Sequence, residues 1–204
     1  MNWSEFKSIP NEYSETVKAI DKRIIGLISE RTDITKGKRF FPPKEIVGEW
    51  AVEFGLSIPQ INGLLHNLAE VSSPTLPIGP GKLLNVLPIM KRAIVNGFEY
   101  EITHSMQHEG GSIVYLEIYQ SNKSEVTRRI RPQLLLDISG EKEYRVSKNS
   151  AGGGGGHAQI SFIVTPRLPQ SIEELKLRLI PYAPPMERSR NKEFILDKEI
   201  SFED

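Results

Sequence analysis

The hydrophobic repeat of this chain changes once, and that change constrains the fold more than any other feature. Up to about residue 70 the apolar residues recur at steps of three and four, the spacing of one face of a helix. From Leu83 onward they recur at steps of two, the spacing of a half-buried strand. Between the two lies a stretch from Val71 to Gly81 dense in Pro, Gly and Ser, which suits neither. The pattern predicts an α+β protein: a small N-terminal three-helix domain over residues 1–72, a linker over 73–82, and an antiparallel β-sandwich over 83–204.

Three stripes define the helical half. Tyr13, Val17, Ile20, Ile24, Leu27 and Ile28 form the first, which should end where Thr32–Phe41 loses the pattern and Gly37 appears. A second helix is expected from Pro42 and Pro43, with Glu45 in its first turn, where a carboxylate suits the helix dipole. Its buried face would hold Ile46, Val47, Trp50, Ala51 and Phe54, and Gly55 is placed to end it. Ser57 then reads as an N-cap with Pro59 just inside, ahead of Ile61, Leu64, Leu65 and Leu68.

The second half alternates. Phe98, Tyr100 and Ile102 lie between polar residues, and SIVYLEIYQ, QLLLDIS, QISFIVT, ELKLRLI and EFILDKEISF follow at intervals that suit short antiparallel strands. Pro132, Pro166, Pro169 and Pro181 stand at the ends of these runs, where a missing amide donor does no harm. Seven or eight such strands suggest a sandwich. Gly152–Gly156 reads as a flexible hairpin loop; no Lys-Ser/Thr follows it, and a strand rather than a helix comes next, which removes the phosphate-loop reading.

Composition narrows the function. The 204 residues carry 26 basic and 26 acidic side chains, and residues 1–74 alone hold nine basic against ten acidic. This near-balance argues against a nucleic-acid or anionic-membrane footprint, which needs clustered positive charge, and the short basic runs at Arg128, Arg129 and Arg131 and at Arg188, Arg190 and Lys192 read as solvated turns. The absence of cysteine removes disulfides, thiolate metal sites and cysteine nucleophiles. His104 and His108 lack carboxylates at ligand spacing, so neither a metal nor another cofactor is expected. The opening MNWSEFKSIPNE has no basic segment ahead of an apolar core, and no apolar run reaches membrane-spanning length, which leads to a cytoplasmic expectation.

AID followed by LISER in the first helix, then PPKEIVGEWAVEFGLSIPQI, resembles the all-helical type of chorismate mutase over roughly residues 10–70. The resemblance implies a pericyclic rearrangement assisted by cations that hold the substrate carboxylates and the ether oxygen. Arg31 matches a substrate-binding arginine, Lys36 or Lys38 the lysine on the ether oxygen, and Glu45 the acidic position after the proline. The other carboxylate-binding arginine falls at Ser14, which has no charge, and about two turns are missing between Arg31 and Glu45. The turn FIVTPRLPQSIEELKLRL resembles the Leu-Pro corner of bacterial immunoglobulin-like domains.

WAVEFGLSIPQINGLL also fits a helix-turn-helix. Its exposed second-helix candidates, Gln60, Asn62, His66 and Asn67, include no Lys or Arg, which makes a poor reader of DNA. The expectation drawn from all this is a non-enzymatic binding protein on a degenerate mutase-like scaffold. It should work through a protein partner or self-association, as a homodimer formed by residues 10–70. A chorismate mutase-type isomerase and a DNA-binding regulator are the alternatives.

Overall fold

The computed structural model describes residues 13–36, 40–70, 80–121, 129–184 and 193–202. Three helices come first, followed by ten strands, giving an α+β chain with a sandwich-like β region. Two compact units share the chain: residues 1–41 with 68–73, and residues 42–67 with 74–204. The second and most of the third helix therefore group with the sheets, whereas the sequence pattern alone groups the three helices together. Most of the expected linker, Gly37 and Lys38 lie outside the described residues.

In the first unit, α1 (Glu15–Thr35) starts where Ser14 Oγ accepts a hydrogen bond from the Val17 amide, so the residue without a mutase charge serves as the helix cap. The helix runs one turn past the expected break. Thr32 Oγ1 donates to the Ile28 carbonyl at 2.8 Å, and the chain turns out only at Lys36, in the left-handed region at φ 49°.

In the second unit, α2 (Lys44–Phe54) carries Glu45 in its first turn and stops at Gly55, φ 63°, as its sequence implies. α3 (Ile58–Glu70) opens on a capping box: Gln60 Oε1 accepts from both the amide and the hydroxyl of Ser57. β1 (Leu83–Val95), β2 (Phe98–His108), β3 (Ser112–Gln120), β7 (His157–Thr165) and β6 (Arg145–Gly154) form a five-stranded antiparallel sheet in the order β1-β2-β3-β7-β6. β10 (Ile200–Ser201), β8 (Lys176–Pro181) and β5 (Leu134–Ser139) form a second antiparallel sheet in that order. β4 (Arg129–Pro132) and β9 (Glu193–Leu196) pair in parallel, a departure from the all-antiparallel expectation.

Alternation places the core. Phe98, Tyr100, Ile102, Val114, Leu116, Ile118, Ile160, Phe162 and Val164 face inward from the large sheet onto Leu134, Leu136, Leu177 and Leu179. One end of this core is polar but satisfied. The Leu168 amide donates to Ser112 Oγ, Ser112 donates to Gln107, and Gln107 Nε2 donates to Ser105, which ties the Leu-Pro corner to β2 and β3.

The glycine run is not the loop that its composition suggests. Gly152–Gly154 continue β6 and pair with β7, and only Gly155 and Gly156, both at positive φ, form the turn. Gly153 leaves no alternative, since a Cβ there would lie 2.3 Å from the His157 carbonyl oxygen. Asn96 and Gly97, both at positive φ, make the two-residue turn between β1 and β2.

Candidate functional site

Arg31 Nη2 donates to the Phe40 carbonyl at 3.1 Å, so the guanidinium ties the end of α1 to the segment beyond it. Lys36 is the left-handed residue closing the helix, and Glu45 lies exposed on α2 in the other compact unit. Lys38 falls outside the described residues. Ser14, as a cap, supplies an acceptor where a dianion would need a donor. Arg31 and Lys36 thus belong to one compact unit and Glu45 to the other.

The helix-turn-helix face is engaged within its own unit. Asn62 Nδ2 donates to the Pro181 carbonyl at 2.8 Å, and the Pro59 carbonyl accepts from the Ala183 amide at 2.9 Å. His66 is 6% exposed; its Nε2 lies 3.0 Å from the Val146 carbonyl, which requires the proton on Nε2, and its ring meets Tyr182 edge-on. A Cβ at Gly63 would lie 1.9 Å from the Ala183 oxygen. Of the expected base-reading side chains, Asn62 and His66 are held against the β8 exit, and Gln60 serves the cap. An ion-pair chain from Asp137 through Arg178 and Glu199 to Lys44 ties β5, β8 and α2 together.

The outward face of the large sheet is an ordered array. Register aligns Pro88, His104, Tyr115, Ser161 and Ser150 across the five strands. It also aligns Arg92, Glu101, Glu117, Gln159 and Gly152, and then Ile94, Glu99, Tyr119, His157 and Gly154. His104 stacks on Tyr115 with centroids 4.6 Å apart, and His157 on Tyr119 at 4.7 Å. Arg92 reaches Glu101 through both Nε and Nη2, while His157 and Gln159 hold Glu117. Glu101 and, more distantly, Glu99 share the Arg92 guanidinium, and Glu117 is held by two side chains of β7, so the described face is a hydrogen-bonded polar exterior. Burial, followed by the neighbouring Glu117, Glu101 and Glu99 carboxylates, raises the Tyr119 phenol above its ordinary value. Among the described residues no group of three or more potential ligand side chains could hold a metal.

α1 differs from all of this. None of its residues is buried, although Tyr13, Val17, Ile20, Ile24, Leu27 and Ile34 form one stripe, each between 42% and 73% exposed. The steps from Tyr13 through Val17, Ile20, Ile24, Leu27 and Arg31 to Ile34 alternate four and three, which is a heptad seam. The sequence displayed this stripe openly; that it would stay uncovered could not be read there, because exposure depends on what the rest of the chain does. No described helix is long and apolar enough to cross a membrane.

No family model matches the chain, and comparison with curated proteins and with solved structures finds no significant relative.

Proposed function

We propose that this protein acts by association rather than catalysis, with α1 as the element that engages an amphipathic helical partner. The observation that carries the reading is a mismatch between α1's order and its means of support. Nine of its 21 residues are β-branched and one is Gly26, a composition with poor helix propensity. In proteins most of the stability of such a helix comes from packing its apolar face rather than from propensity. α1 has such a face and buries none of it among the described residues. A partner helix supplies the missing contact.

Magnitudes set the strength. Completing the burial of six half-exposed side chains contributes about 1 kcal/mol each, or about 12 kcal/mol for two such helices. Association costs roughly 4–15 kcal/mol. The balance favours a reversible, concentration-dependent assembly. Amide exchange of the full chain at high concentration tests this directly. The α1 amides should be protected in the wild type and lose protection in Ile24→Asp, while the strand amides keep theirs. Equal exchange in the two proteins overturns the reading, as does chorismate turnover that Arg31→Ala abolishes.

A further inference from the structure

We infer that the glycine-rich edge of β6, at Ala151–Gly154, is a docking site for an extended basic peptide, which adds to the large sheet as a further strand. The site lies in the second unit and does not depend on α1. The large sheet ends on β1 and β6, and its two edges are built differently. β1 carries the devices that keep an edge from pairing. Pro88 lacks a donor, and Met90 stands at φ 54° where the register slips between Pro88 and Lys91. Lys91 lies opposite the core residue Ile102, which sets a charge on the inward side of the edge. Over Ala151–Gly154, β6 has none of these: every residue there is small, uncharged and exposed.

The hairpin fixes which backbone groups face outward. Gly155 and Gly156, both at positive φ, form a two-residue turn, so the closing residues Gly154 and His157 bond to each other. Bonded and non-bonded pairs alternate along an antiparallel ladder, which makes Gly152 with Gln159 the next bonded pair. Gly153 and Ala151 therefore turn their amides and carbonyls away from β7. The same alternation, carried through the slip between Lys148 and Ser150, directs the Val146 carbonyl off the edge, and there it meets His66 Nε2 at 3.0 Å. α3 thus covers the start of this edge, while Ala151 and Gly153 lie exposed.

Side chains define the occupant. A Cβ at Gly152 or Gly154 would have nothing within 4 Å, so packing within the chain does not demand glycine at either. Glycine inside a strand costs backbone entropy and marks a place where another backbone comes close. Both lie on the outward face, Gly152 in register with Gln159 and Glu117, Gly154 with His157, Tyr119 and Glu99. Long side chains of an added strand can lie across them toward those groups. The two rows hold three carboxylates, Glu99, Glu101 and Glu117, and one guanidinium, Arg92, a surplus that favours Arg or Lys on the partner. On the inward side Ala151 and Gly153 pair with the buried Ile160 and Ala158, so alternate partner residues there are small and apolar. The ligand that fits is an extended peptide alternating basic with small apolar residues.

A labelled synthetic peptide alternating Arg and Val probes the site on the full-length chain by fluorescence anisotropy. It should bind, and a peptide alternating Glu and Val should bind roughly tenfold more weakly or worse. Ala151→Pro removes an amide that faces away from β7, so the ladder keeps its bonds while docking weakens roughly tenfold. Gly152→Lys enters open space and sets a cation in the peptide's path; it should weaken docking by a similar factor and leave the thermal midpoint in place. That second variant decides the matter if Ala151→Pro does not fold. Glu117→Gln should weaken docking roughly threefold and flatten its salt dependence. Binding that survives both edge variants overturns the site, as does no binding at about 100 µM chain. Equal binding of the acidic peptide overturns the basic partner. Self-association of the chain that either edge variant abolishes assigns the edge to a second copy and overturns the peptide as its occupant.

Discussion

α1 and α3 are both amphipathic, and each carries one glycine in its interior, yet they stand in opposite situations. Around Gly63 of α3 the Ala183 carbonyl comes so close that a methyl group has no room. Around Gly26 of α1 nothing lies within 4 Å of where a methyl group would sit. α3 buries Ile61 and His66; α1 buries nothing. The difference shows that an apolar stripe sets a helix's capacity to pack and leaves its partner open. α3 meets its partner in the same unit, at the backbone of residues 181–183, whereas no residue of α1 is buried.

Glycine is the sharpest probe of this contrast. Gly63→Ala should destabilise the second unit by roughly 3 kcal/mol, because the clash with a backbone oxygen outweighs the roughly 1 kcal/mol gained in helix propensity. Urea denaturation followed by tryptophan or far-UV signal measures it. A neutral or stabilising result would mean that α3 can lift away from Ala183 at little cost, and the contrast with α1 would fail.

The β unit has its own signature at alkaline pH. Burial, and then the Asp197 charge, push the Tyr100 phenol up to about 12 from an ordinary value of 10. Its neutral form is favoured in the fold, so the folded state holds the proton more tightly than the unfolded chain. Stability is therefore complete below pH 10 and declines as pH rises from 10 to about 12, by about 2–3 kcal/mol in all. Tyr100→Phe should flatten that decline. Persistence of the same slope would place the loss in another group.

Ser14→Ala, which removes the side-chain bond to the Val17 amide at the start of α1, should weaken that helix by about 1 kcal/mol. Far-UV signal as a function of protein concentration should then show assembly at higher concentration. Gly26→Ala should act in the opposite sense by about 0.5–1 kcal/mol, since it adds propensity in open space off the seam. The smallest effect is the most diagnostic: Leu27→Asp should leave the urea midpoint of the β unit unchanged within about 0.5 kcal/mol while abolishing association. A large loss of β-unit stability would show that α1 supports the sheets.

Much of the fold was legible beforehand. The alternation in SIVYLEIYQ and ELKLRLI marks β3 and β8 because a strand with one buried face must alternate. Gly55, Ser57 and Pro59 bound the second and third helices for reasons local to their own backbones. The chain beyond Thr32 was less clear, since its polar threonines hide a helix that Thr32 Oγ1 helps to hold. The five-glycine run misled for a related reason. Composition speaks for flexibility, but a ladder with β7 supplies the order that glycine lacks by itself. Asn96-Gly97, by contrast, is a hairpin signal that the sequence carries locally.

The sequence by itself determined the class of the protein, because the two hydrophobic periods, the caps and the turn residues are set by contacts a few positions apart. It also determined the heptad seam and its charges, which are properties of one helix alone. Only the tertiary structure decided which stripes find cover. Whether Asn62 and His66 read a base or brace a strand depends on where Pro181 and Val146 arrive in space, over a hundred positions away in one case. That information lies in the packing of the whole unit, where no local pattern can carry it.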